Sequence, residues 1–260
     1  MLDDRVIHAW CAAFLHGIAP AAPSGVGPET YFLKPGYQSR ALPEYAVGDG
    51  SETTYQPDIY VFAAAAARAI GATALIDVGC GRARKLVASA GALDTIGIDF
   101  GRNIEDCRLR YPARTWRACD LDRPHRLPVT PADLARSVIV SADVIEHLVH
   151  PEHLLASLRE ALQWAPLLIV STPERDLARG IVDFGPPGNP CHVREWNLAE
   201  FTCLLEHHGL RPGRVGLTRS DDRDHATYTI MAVIRGSTGF PDVSGASREA
   251  TAARSRHPSA

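Results

Sequence analysis

Asp143, Glu146 and His147 stand at i, i+3 and i+4 in the run Ser-Ala-Asp-Val-Ile-Glu-His-Leu, and His192 follows 45 residues after the first histidine. If that run is helical, all three side chains share one face. Two carboxylates and two imidazoles can hold a divalent cation, whose charge would lower the pKa of an acceptor hydroxyl. Without a cation, His147 or His192 can serve as a general base, because an imidazole titrates near neutral pH. The residues leave both chemistries open.

A second stretch with chemical content is Ala-Leu-Ile-Asp-Val-Gly-Cys-Gly-Arg-Ala-Arg-Lys, residues 74 to 85. Ala74, Leu75, Ile76 and Val78 predict a short strand buried on both faces. Gly79 and Gly81 then allow a sharp turn that passes close to a ligand before a helix begins. Such a turn aims backbone N–H groups and a helix N-terminus at a nucleotide-type ligand. A dinucleotide would call for a third glycine where Arg84 stands, so the nicotinamide reading weakens. Asp77, two residues before Gly79, suits a ligand carrying an ammonium group and would repel a pyrophosphate. S-adenosylmethionine is such a ligand.

The run Asp-Val-Gly-Cys-Gly resembles the first motif of the class I S-adenosylmethionine-dependent methyltransferases, and the resemblance extends over roughly residues 56 to 235. It implies a cofactor set of Gln56, Asp77, Gly79, Cys80, Gly81, Asp99, Asp120, Leu121 and Ser141. In that set Asp99 faces the ribose hydroxyls, while Asp120 and Leu121 flank the adenine. The acid-x-x-Glu-His spacing, with the later His-Val-Arg-Glu-Trp at 192 to 196, is similar to the magnesium-dependent small-RNA 2′-O-methyltransferases and the ubiquinone-pathway O-methyltransferases. Asp143, Glu146, His147 and His192 are then the implied ligands of Mg2+ or another divalent cation. Asp143 replaces the glutamate of those families with a shorter side chain.

Positioning these residues requires an alternation of strands and helices. Beyond the glycine loop, helices are expected near 82–90, 103–111, 151–164 and 197–208, preceded by one at 56–70. Strands are expected at 95–100, 115–119, 137–143, 167–172, 215–218 and 228–234. The pattern predicts a doubly wound, mainly parallel, Rossmann-like seven-stranded α/β sheet, the last strand inserting antiparallel as the family does. Residues 1–55 read as an N-terminal arm, with an amphipathic helix over 2–18 and an aromatic, Pro/Gly-rich stretch that either packs on the sheet edge or closes as a lid. Residues 56–235 form the catalytic domain and 236–260 a disordered tail. Glu174 to Pro190 reads as a long functional loop. Within or beside it, Arg175, Arg179 and Arg194 are placed to meet a substrate phosphate or carboxylate, whereas Arg82, Arg84 and Lys85 read as a solvated helix face.

Twenty-seven basic against 30 acidic residues give a net charge of −3, which offers no electrostatic footprint for nucleic acid or an anionic membrane. The six cysteines include no Cys-x-x-Cys pair and sit mostly in apolar runs, as reduced thiols do. Asp3 and Asp4 stand where a signal peptide would be basic, so a cytoplasmic protein is expected. The expected activity is methyl transfer to a polar small molecule, as O-methylation of a hydroxyl-rich or sugar-like metabolite. N-methylation, a nicotinamide-dependent oxidoreductase and a non-catalytic adenosyl-binding protein are the alternatives.

Overall fold

Five short apolar runs become the parallel strands β1 (Ala74–Val78), β2 (Asp94–Asp99), β3 (Thr115–Ala118), β4 (Ser137–Ala142) and β5 (Leu167–Pro173) of the computed structural model, which describes residues 31–44, 57–219 and 228–237. β6 (Arg214–Arg219) and β7 (Tyr228–Arg235) complete a seven-stranded sheet of order β3-β2-β1-β4-β5-β7-β6. β7 runs antiparallel between β5 and β6, as the family resemblance implies.

Side chains along each strand alternate between two cores, following the two-residue period of a pleated strand. Ile76 and Val78 of β1 point to one core and Leu75 to the other; in β5, Leu168 and Val170 oppose Leu167 and Ile169. The first core is covered by α5 (Pro151–Ala161) and α7 (Leu198–His207), through Leu154, Leu158, Phe201 and Leu204. The second is covered by α1 (Pro57–Ala69), α2 (Arg84–Ala90) and α3 (Gly101–Arg110), through Ile59, Leu86 and Ile104. With both faces buried, the central strands are apolar throughout and need no polar face.

Two short helices escape the sequence reading. α4 (Pro131–Ala135) forms because Thr130 and Asp133 make a reciprocal capping box and Pro131 presets the first turn. α6 (Arg175–Arg179) interrupts the stretch expected to be all loop. Its start is fixed by Glu174, whose carboxylate accepts the Leu177 amide at 2.6 Å, and it stops at Gly180, where φ is +87°. Five residues leave too little periodicity for a pattern to register.

Residues 31–44 lie along the segment 184–196. Arg40 N–H donates to Val193 O at 2.7 Å, Gln38 N–H to Phe184 O at 2.9 Å, and the Trp196 indole N–H to Tyr31 O at 2.9 Å. The expected 2–18 helix, Gln56 and the tail beyond residue 237 fall outside the described residues. Among the described residues no helix is long and apolar enough to cross a membrane.

Candidate active site

The carboxyl ends of β1 and β4 meet at the point where strand order reverses, β1 leading outward to β2 and the chain later returning to β4 on its other side. Open α/β sheets bind ligands in the crevice this creates. The glycine loop after β1 is tied to the end of β2: Gly79 N–H donates to Ile98 O at 2.8 Å and Gly81 N–H to Asp99 Oδ2 at 2.8 Å. Gly79 has φ +83°, and a Cβ there would sit 2.3 Å from Val144 Cγ2, so no other residue fits.

Asp77 is fully buried, and neither carboxylate oxygen receives a well-formed hydrogen bond, although the Tyr60 phenol lies close. Burial pushes its pKa from 3.8 to about 7, against the opposing pull of Tyr60 and Lys85. An orphaned buried carboxylate at the head of a glycine turn fits a cationic ligand such as the ammonium end of S-adenosylmethionine. Asp99 Oδ1 accepts from the Phe100 amide at 2.8 Å and from Asn103 Nδ2 at 3.2 Å; burial nonetheless raises its pKa over these bonds. On β4, Ser141 Oγ is buried without a partner, a second polar atom awaiting one. Leu121 is buried, whereas Asp120 sits at the rim, accepting the Asp122 amide at 3.1 Å and pairing with Arg123 at 3.0 Å. Cys80 is buried beside Cys107, both thiols facing Gly81 O.

The run after β4 is not the helix that would align Asp143 with Glu146 and His147. Asp143 takes φ +51°, and only a single 3-10 turn, Ile145–His147, follows. Its carboxylate turns to Ser171, accepting the hydroxyl at 2.7 Å, while its amide donates to Ser171 O. Glu146, His147 and His192 do converge, with ligand-type atoms all within 4.8 Å of one another, and Asp143 does not join them.

The protonation of this trio follows from its partners. His147 Nδ1 faces Cys191 O at 2.9 Å and must carry the proton, leaving an Nε2 lone pair 4.0 Å from Glu146 Oε1. That oxygen is buried and has no partner, while Oε2 accepts from Thr172 Oγ1 at 3.0 Å. Burial, then the neighbouring Asp143, pushes the Glu146 carboxyl well up. Burial and the adjacent His192 hold His147 down at about 4, so it is neutral at physiological pH and differs from the near-neutral base expected from sequence. In its ionised form Glu146 sets Oε1 as a second acceptor facing the His147 Nε2 lone pair, an arrangement that fits a cation, whose charge would favour that ionised form. Histidine ligands of metals normally spend their other nitrogen on a carbonyl or carboxylate, as His147 does here.

The three arginines expected to meet substrate are already engaged. Arg175 is fully buried and forks onto Glu200 at 2.6 and 2.9 Å. Arg179 binds Glu195 and Asp183, and Arg194 stacks on Tyr31 at 4.1 Å while donating to Val149 O at 3.0 Å. Arg175 and Arg179 are thus paired with carboxylates that organise the protein, while Arg194 is held by backbone carbonyls and the Tyr31 ring, its buried Nε without a hydrogen-bond partner. Sequence reasoning also passed over Glu195, whose carboxylate meets His192 Nδ1 at 2.6 Å. The only sequence signal was its place three residues after a histidine.

No family model matches the chain. Among curated proteins it is 33% identical over 142 residues to a probable S-adenosylmethionine-dependent methyltransferase of Mycolicibacterium smegmatis, covering 52% of this chain and 51% of that protein. It is 32% identical over 138 residues to a probable S-adenosylmethionine-dependent methyltransferase of Mycobacterium tuberculosis, covering 50% and 46%. The chain thus spans about half the length of the curated relatives it matches. Its fold is similar to that of the magnesium protoporphyrin IX methyltransferase of Synechocystis PCC 6803, at 15% identity and a TM-score of 0.50, covering 74% of this chain and 90% of that one. Over about half its length the chain is thus similar to probable S-adenosylmethionine-dependent methyltransferases, and its seven-stranded, mostly parallel sheet has the Rossmann-like fold of such an enzyme.

Proposed function

We propose that the protein transfers a methyl group from S-adenosylmethionine to a hydroxyl oxygen of a polar, hydroxyl-rich small molecule, aided by a divalent cation. The observation that carries the cation is the unpartnered, buried Glu146 Oε1 standing 4.0 Å from the His147 Nε2 lone pair. The cofactor would supply an electrophilic methyl on a sulfonium, and the cation would lower the acceptor's pKa and fix its position.

The residues divide that work. Asp77 would meet the cofactor's ammonium group, Asp99 its ribose, and the Gly79 to Gly81 backbone would let it approach β1; Cys80, Asp120, Leu121, Ser141 and Gln56 complete the proposed cofactor set. Glu146, His147 and His192 would hold the cation, with Asp143 bracing the turn from Ser171. Most of the rate would come from aligning acceptor and methyl–sulfur bond, which rigid strand ends are suited to do. The partly exposed His147 and the segments 31–44 and 184–196 beside it form the wall on which the small molecule would rest.

A metal-free reading has one observation in its favour: His192, with Nδ1 against Glu195, is arranged as a general base through Nε2. Calorimetric titration with S-adenosylmethionine, followed by turnover assays across hydroxylated acceptors with and without EDTA, tests the proposal and separates the two readings. No heat of binding would end it.

A further inference from the structure

His192 is held from both sides by groups whose own orientation is fixed. Glu195, buried, places Oε1 2.6 Å from Nδ1, while Oε2 receives Arg179 Nη1 at 3.1 Å. Arg179 cannot easily turn, because Nε and Nη2 are spent on the Asp183 carboxylate at 3.1 and 2.9 Å and Nη2 also reaches Gly185 O and Pro186 O at 3.0 and 2.8 Å. On the opposite side, Asn189 Oδ1 accepts the Cys191 amide at 2.9 Å, which directs its Nδ2 toward His192 Nε2 at 3.0 Å. With the permanently charged Arg179 guanidinium donating to Oε2, Glu195 stands as an acceptor toward the ring. A carboxylate only accepts and an amide nitrogen only donates.

We propose that Glu195, clamped by Arg179, is the positioning residue that sets the His192 tautomer, putting the proton on Nδ1 and keeping the Nε2 lone pair for a proton or a cation. This deepens the active-site reading above and rests on it for the use of Nε2, though not for the tautomer. A ligand at Nε2 would take the place of the Asn189 amide. Because Arg179 also ties the turn at 183–186, displacement of that turn is felt at Glu195 and through it at His192.

The isosteric change Glu195→Gln gives a result that a merely structural role would not. Arg179 demands an acceptor, so the new amide oxygen must face it and the amide NH2 must face Nδ1. Nδ1 then becomes the acceptor and the proton moves to Nε2, with Asn189 giving up the Cys191 amide to turn its oxygen toward the new N–H; there the proton blocks both base and ligand chemistry. An inverted tautomer of this kind is known to be costly in serine proteases, where an aspartate-to-asparagine change lowers kcat about 10,000-fold.

The test is long-range 15N–1H correlation spectroscopy of the 260-residue protein without cofactor, with the His192 signals assigned by their loss in His192→Gln. Wild type should show Nδ1–H and Glu195→Gln should show Nε2–H. Adding Arg179→Leu to Glu195→Gln should return the proton to Nδ1, since the amide is then free to turn its oxygen toward the ring. In assays, Glu195→Gln should lower kcat about 100-fold or more while leaving S-adenosylmethionine affinity unchanged. A wild-type spectrum showing Nε2–H, which needs no variant to fold, overturns the assignment, as does a Glu195→Gln protein retaining Nδ1–H. Failure of the wild type to bind S-adenosylmethionine would overturn the methyltransferase reading while leaving the tautomer result standing.

Discussion

The Asp99 carboxylate accepts the Gly81 amide at 2.8 Å, so the acid proposed to hold the ribose also holds the glycine loop in place. Asp99→Ala should therefore weaken S-adenosylmethionine binding by about 1–3 kcal/mol and also lower the melting temperature of the unliganded protein. Asp99→Asn keeps an oxygen for part of this network and should lose less of both. Paired calorimetry and thermal melts check it; unchanged affinity in a folded Asp99→Ala protein removes Asp99 from the site.

Asp77 gives a pH dependence of definite sign. Its folded pKa of about 7 lies above the ordinary 3.8, so the folded state keeps this proton to higher pH than the unfolded chain. The associated stability is complete below 3.8 and is lost as pH rises through about 7. Asp77→Asn should abolish that loss and stabilise the unliganded protein near pH 8 by about 1–4 kcal/mol. In wild type, a cationic cofactor favours the ionised acid, so affinity should tighten by up to about tenfold per pH unit from pH ~5.5 to ~7. Calorimetry across that range should find the slope in wild type and its absence in the variant.

Gly79→Ala should cost about 2–4 kcal/mol, because the added methyl meets Val144 in a left-handed backbone that alanine resists. Denaturant unfolding measures this directly. Gly81, with φ +52° but open space around its Cβ position, should tolerate alanine better, at about 1 kcal/mol.

If Glu146, His147 and His192 hold a cation, EDTA should abolish turnover while leaving S-adenosylmethionine binding nearly intact, and added Mg2+ or Mn2+ should restore it. Glu146→Ala should behave like the stripped enzyme even with metal present, since the buried carboxylate supplies both charge and geometry. Asp143→Asn should lose less, because Asp143 is turned to Ser171 and stands outside the converging trio. Turnover indifferent to EDTA would leave His192 as the base.

Local chemistry made the scaffold legible in the sequence. Apolar runs buried on both faces, glycines suited to the left-handed φ of +83° and +52°, and an acid at the end of β2 declare strand, turn and ligand position within a few residues of one another. The set of Glu146, His147 and His192 is suggested by the family resemblance, while the helix expected to align Asp143 with them is replaced by a single 3-10 turn. What the sequence could not fix depends on partners far along the chain. Asp143 leaves the trio because Ser171, 28 residues away, takes its carboxylate. Arg175 turns inward because Glu200 meets it from α7, and Arg179 because Glu195 and the 183–186 turn saturate it. The tautomer of His192 is decided by Glu195, Arg179 and Asn189 together, since hydrogen-bond direction is a property of an assembled network and no single residue encodes it.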